Sequence, residues 1–187
     1  MSEAPEFDVV FICTGNRFRS PLAAAALGAA RAEPRIRASS VGILELGPVP
    51  ALPEAVELAR SFELDLSGHR ARGISELDLA PLDLVLGFER THVHAAVVDA
   101  AAAVERTFTL PELVRLLESL SELASADGRA ASARARVRQA HEARPPNFRA
   151  AAAPEIVDPL GRSQRKQREV AEEVRQLVER LAQLLFD

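Results

Sequence analysis

The sequence predicts an α/β protein with a parallel sheet at its centre. Short apolar runs that suit strands alternate along the chain with longer helical stretches, which is typical of parallel sheets with helical connections. The chain has 187 residues and 48% of them are hydrophobic, so one well-packed domain over residues 1–187 is expected. In such a sheet, ligands bind beyond the carboxyl ends of the strands.

The first half of the chain predicts two strand–helix units. Residues 7–12 are largely apolar and indicate a buried strand. The alanine-rich stretch 21–32 indicates a helix, which tolerates Pro21 in its first turn. Residues 36–41 then indicate a second strand, and residues 52–61 a second helix.

The second half of the chain continues the alternation. Residues 82–86 indicate a third strand, residues 91–103 a helix, and residues 106–110 a short fourth strand. Pro111 begins a helix that extends to about residue 124. The last helix begins near Ser163, and its apolar residues form one stripe: Val170, Val174, Leu177, Val178, Leu181 and Leu185.

A run of polar and small residues lies at the end of the first strand, with the sequence Cys13-Thr14-Gly15-Asn16-Arg17-Phe18-Arg19-Ser20-Pro21. Glycine and asparagine let a backbone curl so that its N–H groups converge on an anion, and a following helix start adds free donors. Arg19 can offer a two-pronged contact to phosphate oxygens. Cys13 is the only cysteine, and these surroundings favour its thiolate. The alternative is an inert cysteine buried at a strand end.

This run resembles the phosphate-binding loop of the low-molecular-weight protein tyrosine phosphatases, whose pattern is Cys-x-Gly-Asn-x-Cys-Arg-Ser-Pro. The resemblance implies a four-stranded parallel sheet flanked by helices, in three layers. It implies that Cys13 attacks phosphorus, that Arg19 holds the phosphoryl oxygens, and that Asn16 and Ser20 hold the loop in shape. The loop residues around the phosphate would be Thr14, Gly15, Asn16, Arg17, Phe18, Arg19 and Ser20. Phe18 stands where the family often has a second cysteine.

A second feature is the turn Asp158-Pro159, shortly before the last helix. Attack by a thiolate expels a poor leaving group unless an acid protonates it. The low-molecular-weight phosphatases carry their general acid on such a loop, so the resemblance points to Asp158. Leu160 stands where the family often has an aromatic residue. Taken alone, an Asp-Pro pair is usually only a turn.

Two further positions resemble residues that support the loop asparagine in this family. Ser40 lies near the end of the second predicted strand, and His69 follows the second predicted helix. The resemblance implies that both support Asn16 by hydrogen bonds. For an isolated histidine such as His69, a surface position after a turn is the simpler interpretation.

Composition excludes several other classes of protein. The net charge of −4 gives no broad attraction to nucleic acid, and no segment is apolar enough to span a membrane. A single cysteine excludes an internal disulfide framework and a multi-cysteine zinc site, and the four histidines form no metal motif. No metal or cofactor is expected. The N-terminus lacks an export pattern, so a cytoplasmic location is expected.

Residues 125–153 depart from the pattern and predict an insertion rich in alanine and arginine. A solvated helix and linker is the favoured interpretation. The alternative is a basic flap that holds an anionic substrate, built from Arg129, Arg134, Arg136, Arg138, Arg144 and Arg149.

Together these features predict a phosphomonoester hydrolase, most simply a protein tyrosine phosphatase, that forms a cysteinyl-phosphate. Its substrate would be a phosphorylated protein or a small aryl phosphate, with inorganic phosphate or another oxyanion in the same site. One alternative is an arsenate reductase that uses an external low-molecular-weight thiol, since no second cysteine is available for an internal relay. The other is a non-catalytic phosphate-binding module.

Overall fold

The architecture is described here from a computed structural model, over residues 6–30, 35–145 and 154–187. These residues form a four-stranded parallel sheet with strand order β2-β1-β3-β4. The strands are β1 (Phe7–Cys13), β2 (Ile36–Gly42), β3 (Leu84–Gly87) and β4 (Thr107–Thr109). The central strand β1 pairs with β2 along its whole length, and Cys13 lies opposite Gly42 at the carboxyl end.

Helices cover one face of the sheet, and short helical turns with loop residues pack on the other. Alternation along β1 directs Val9 and Phe11 into the larger apolar cluster, and Val10 and Ile12 into a smaller cluster on the other face. The larger cluster includes residues of every helix except α3. The helices are α1 (Arg19–Ala30), α2 (Pro53–Ser61), α3 (Arg90–His94), α4 (Leu110–Ser119), α5 (Arg129–Glu142) and α6 (Gln164–Phe186). Short helical turns lie at Ile74–Glu76, Ala95–Asp99 and Val104–Arg106. This arrangement confirms the predicted three-layer α/β fold.

Three predicted helices differ in extent from those observed. The helix predicted at 91–103 is shorter, because α3 passes into the turn Ala95–Asp99 and Ala101 then adopts a positive φ of 54°. The helix predicted to reach about residue 124 ends at Ser119. The helix predicted at 21–32 begins earlier, at Arg19, and its last two predicted positions lie outside the described residues.

The alanine-rich helix α5 is more buried than the sequence predicts. The prediction of a solvated helix and linker over residues 125–153 is wrong about the helix, because α5 packs Ala133, Val137 and Ala140 into the larger apolar cluster. Small side chains let this helix lie close to its neighbours, so its few large apolar residues do not prevent burial. Residues 146–153, which include Arg149, lie outside the described part of the chain.

Two arginines of this segment, Arg134 and Arg144, bind residues in or next to β3 and β4. Arg134 Nε lies 2.7 Å from a carboxylate oxygen of Asp83, which immediately precedes β3. Arg144 Nε lies 2.9 Å from a carboxylate oxygen of Glu112, and its guanidinium stacks 3.9 Å from the ring centre of Phe108. The Arg134 pair thus lies at the amino end of β3, and Arg144 packs along β4 and against the start of α4. These contacts give the substrate-flap alternative no support. None of the described helices is both long enough and apolar enough to cross a bilayer.

Candidate active site

The loop between β1 and α1 curls around a small cavity at the carboxyl edge of the sheet. Cys13 is the last residue of β1 and Arg19 is the first of α1. Asn16 adopts a positive φ of 52°, a conformation that asparagine tolerates better than most residues. The chain after β2 fixes the start of the loop, since Ile43 N donates to Cys13 O at 3.0 Å and Leu44 N donates to Thr14 O at 2.9 Å.

Asn16 is fully buried and is hydrogen-bonded through both its side chain and its backbone. Its Nδ2 donates to Ser20 Oγ at 2.9 Å and to Ser40 Oγ at 2.8 Å, and its Oδ1 accepts from Arg72 N at 2.9 Å. His69 Nε2 lies 2.7 Å from Asn16 O and donates to it, because a carbonyl only accepts. Partial burial lowers the pKa of His69, so this donor is a neutral imidazole at neutral pH. The structure therefore brings Ser20, Ser40 and His69 together around Asn16.

The cysteine sulfur lies within this network. Cys13 is 3% exposed, and its Sγ lies 3.0 Å from Ser20 Oγ. A serine hydroxyl at that distance can donate to a thiolate and stabilise its charge. No group of three or more His, Cys, Asp or Glu side chains in the described part of the chain is placed to hold a metal ion.

Arg19 brings a buried positive charge to the same place. Its side chain is 1% exposed and forms ion pairs with Glu89 and with Asp158, the latter at 2.5 Å. It also donates to Ile156 O at 2.9 Å. A buried guanidinium requires such compensation, and Glu89 provides it from just beyond β3. The sequence analysis did not identify Glu89.

Asp158 reaches the cavity from a loop that is joined to the sheet. Ile156 N donates to Phe88 O at 2.8 Å, so the loop is held beside the end of β3. Asp158 Oδ1 accepts from Leu160 N at 2.9 Å, which closes a tight turn. The other carboxylate oxygen, Oδ2, is the one that pairs with Arg19.

The cavity enclosed by these elements has a volume of about 100 Å³. Leu44, Leu46 and Leu160 line it and are themselves 43–64% exposed, so they form an apolar mouth. The full lining is Cys13, Thr14, Gly15, Arg17, Phe18, Arg19, Leu44, Leu46, Leu52, Asp158 and Leu160. The cavity therefore brings a cysteine sulfur, a guanidinium and a carboxylate together beneath an apolar rim.

His92 is a second residue that the sequence analysis did not place in the site. It is fully buried, and its Nδ1 faces the backbone N–H groups of Phe88 and Glu89, at 3.3 and 3.0 Å. Its Nε2 lies 3.2 Å from Thr14 Oγ1. Burial, reinforced by the charge of Arg19, lowers the pKa of His92 to about 4, although the Asp158 and Glu155 carboxylates partly oppose this shift. His92 is therefore neutral at neutral pH.

Comparison with known proteins identifies the family. The sequence model of the family described as low molecular weight phosphotyrosine protein phosphatase matches residues 8–123, well over half of the chain. The chain belongs to this family. The match contains the whole loop around Cys13 together with Ser40, His69 and Glu89, whereas Asp158 lies beyond it.

Individual members of the low molecular weight phosphatase family show how far the likeness extends. Low molecular weight protein-tyrosine-phosphatase Wzb of Escherichia coli strain K12 is 35% identical over 86 residues, which are 46% of this chain and 57% of that protein. The chain thus matches little more than half the length of this relative. Protein-arginine-phosphatase of Bacillus subtilis strain 168 is 30% identical over 109 residues, covering 57% of this chain and 72% of that protein.

The likeness in structure covers almost the entire chain. A crystal structure of low molecular weight protein tyrosine phosphatase from T. tengcongensis superposes with a TM-score of 0.68 and 26% identity. The superposition covers 95% of this chain and 98% of that one. The described residues after position 123 therefore take part in the family fold, although the sequence match does not reach them.

Proposed function

We propose that this protein is a phosphomonoester hydrolase that acts as a protein tyrosine phosphatase through a cysteinyl-phosphate. The observation that carries the proposal is the cavity itself, in which Cys13, Arg19 and Asp158 meet. Its volume of about 100 Å³ suits a phosphoryl group rather than a large cofactor. The family of the chain and the names of its relatives support the same reaction.

In the first step, the Cys13 thiolate attacks phosphorus in line with the leaving oxygen. A P–S bond forms while the P–O bond to the substrate breaks, and Asp158 gives its proton to the departing oxygen. Arg19 and the loop N–H groups stabilise the charge on the three remaining oxygens. In the second step, Asp158 takes a proton from water, the water oxygen attacks phosphorus, and the P–S bond breaks. Inorganic phosphate leaves and the thiolate is restored.

The cavity wall favours an aryl phosphate over a phosphorylated guanidinium. Arg17 lines the cavity, where its Nε donates to Pro50 O at 2.8 Å. Phosphoarginine carries positive charge next to phosphorus, so Arg17 would repel it, whereas exposed Leu44, Leu46 and Leu160 can pack on an aromatic ring. Proteins phosphorylated on tyrosine are therefore the proposed substrates. Cytoplasmic location is part of the proposal, because reducing conditions keep a free cysteine such as Cys13 active.

The central experiment is hydrolysis of p-nitrophenyl phosphate in EDTA by the intact protein and by Cys13→Ser. Turnover should persist in EDTA and disappear in the variant, while the variant still binds inorganic phosphate, because Arg19 and the loop remain. Near wild-type turnover by Cys13→Ser would overturn the covalent mechanism. Arsenate reduction with added thiols, measured in parallel, would reveal the alternative activity.

Substrate preference is tested with a phosphotyrosine peptide and a phosphoarginine peptide of the same sequence. Arg17→Gln should raise relative hydrolysis of the phosphoarginine peptide by roughly two- to fivefold, the scale of one partly exposed charge contact. Arg60→Gln is the matched control, because Arg60 is an exposed arginine of α2 that does not line the cavity. An unchanged preference in Arg17→Gln would remove Arg17 from the account of specificity.

A further inference from the structure

The contacts of His92 determine which of its nitrogens carries the proton. Nδ1 faces two backbone N–H groups, those of Phe88 and Glu89, so it must be the acceptor. A neutral imidazole has one N–H, which therefore resides on Nε2. Nε2 faces Thr14 Oγ1 at 3.2 Å, so His92 donates and Thr14 accepts.

The Thr14 hydroxyl receives a second hydrogen bond from Arg19. The guanidinium NH2 lies 3.0 Å from Thr14 Oγ1, and arginine can only donate. A hydroxyl oxygen has two lone pairs and one hydrogen. Because both lone pairs of the Thr14 hydroxyl already accept hydrogen bonds, the hydroxyl can interact with a further group only by donating its hydrogen. Thr14 lines the cavity beside Cys13 and Arg19, where a phosphoryl oxygen would accept it.

We propose that His92 is a positioning residue that fixes the Thr14 hydroxyl as a hydrogen-bond donor to the phosphoryl group. The proposal rests on the proposed phosphatase function of the same cavity. A threonine hydroxyl can otherwise rotate and present either its hydrogen or a lone pair to a ligand. A lone pair aimed at a phosphoryl oxygen would be repulsive, so a fixed orientation aids binding and transition-state stabilisation. His92 and Thr14 are 78 residues apart in the sequence.

The variants separate this role from a purely structural one. His92→Asn keeps a side-chain acceptor close to the place of Nδ1 but removes the donor to Thr14. His92→Gln keeps an N–H near the place of Nε2. Thr14→Val removes the hydroxyl with little change in shape, and Thr14→Ser retains it.

Hydrolysis of p-nitrophenyl phosphate gives the first readout. Thr14→Val should lower kcat/KM about tenfold or more, as expected for a hydrogen bond to a charged group, and Thr14→Ser should restore most of it. His92→Asn should lower kcat/KM several-fold, and His92→Gln should recover part of that loss. In the Thr14→Val background, His92→Asn should have no further effect on kcat/KM, because the hydroxyl through which His92 acts is already absent.

Affinity for inorganic phosphate, measured by calorimetry in the Cys13→Ser background, gives a readout that needs no turnover. Thr14→Val should weaken phosphate binding relative to Thr14→Ser, whether or not the wild-type protein hydrolyses phosphate esters. Failure of hydrolysis therefore refutes the proposed function, while equal phosphate affinity of these two variants refutes the role of Thr14. Losses that multiply in the double variant would assign His92 a structural role and overturn the proposal. If His92→Asn does not fold, the same double comparison is made with His92→Ala, which also removes the donor to Thr14.

Discussion

Substitution of Gly42 by alanine should displace the phosphate-binding loop with a single methyl group. Gly42 lies opposite Cys13 in the sheet, directly beneath the loop. An added Cβ would lie 2.8 Å from Asn16 N, 2.9 Å from the carbonyl carbon of Gly15 and 3.0 Å from Thr14 O. All three atoms belong to the backbone, so no flexible side chain can move aside.

The expected loss of stability depends on the hydrogen bonds that join the loop to the chain around Gly42. Gly42 N donates to Arg72 O at 2.9 Å on one side, and the following residues bind Cys13 O and Thr14 O on the other. The contacts of the added Cβ with the loop backbone would be several tenths of an ångström too short. They can be relieved only if the loop moves and these hydrogen bonds lengthen or break. Overpacking of this kind costs about 1–3 kcal/mol of the free energy of unfolding. For a chain of this size, the melting temperature should fall by about 3–10 °C.

Activity should suffer more than stability. A displacement of about 1 Å at reacting groups can reduce a rate by roughly a hundredfold, and here the moved backbone carries both the nucleophile and its anion-binding N–H groups. The assay is kcat/KM for p-nitrophenyl phosphate together with thermal unfolding. Gly28→Ala is the matched control, since an added Cβ there meets no atom within 4 Å and alanine favours the helix. Gly42→Ala with activity within twofold of wild type and an unchanged melting temperature would refute the reasoning.

Three further predictions concern the acid, the thiol and the buried histidine. Asp158→Asn should slow aryl phosphate hydrolysis by about a hundredfold, with a smaller loss for good leaving groups; an equal loss across a leaving-group series would leave Asp158 only a structural role. Prolonged peroxide should inactivate the enzyme beyond rescue by dithiothreitol, because no second cysteine can trap the sulfenic acid of Cys13, and bound phosphate should protect; full recovery of activity would contradict this. The pKa of His92 is about 4 in the folded protein, against an ordinary value of 6.5. Between these two pH values the unfolded chain binds a proton on His92 that the folded chain does not. The free energy of unfolding should therefore fall as the pH drops from about 6.5 to about 4. Chemical denaturation at several pH values should show a weaker loss in His92→Asn, and equal losses would count against the assignment.

The loop around Cys13 could be predicted from the sequence because its determinants are contiguous. A strand, a glycine–asparagine turn and a helix start lie within residues 7–21, so local geometry alone places the anion site. Glu89 and His92 could not be predicted in this way. Their partners in the site lie 70 and 78 residues away, and a buried charge pair or a fixed tautomer leaves no pattern in spacing.

The error over α5 has a different cause. Residues 125–153 have few large apolar side chains, which suggested solvation. Burial depends on the fit between surfaces, and alanines at 133 and 140 give α5 a flat face on which neighbouring helices can pack. Arg134, Arg136 and Arg144 bind a carboxylate or backbone carbonyls of neighbouring segments.

The ion pair between Arg19 and Asp158 means that the cavity is never without an anion. When no phosphate is bound, the chain supplies a carboxylate of its own to the guanidinium. Any phosphate must exchange places with that carboxylate, so its measured affinity is a difference between two anions rather than the strength of one contact. The carboxylate proposed to hand over a proton would thus also compete with phosphate for Arg19, and weak product binding is the expected consequence.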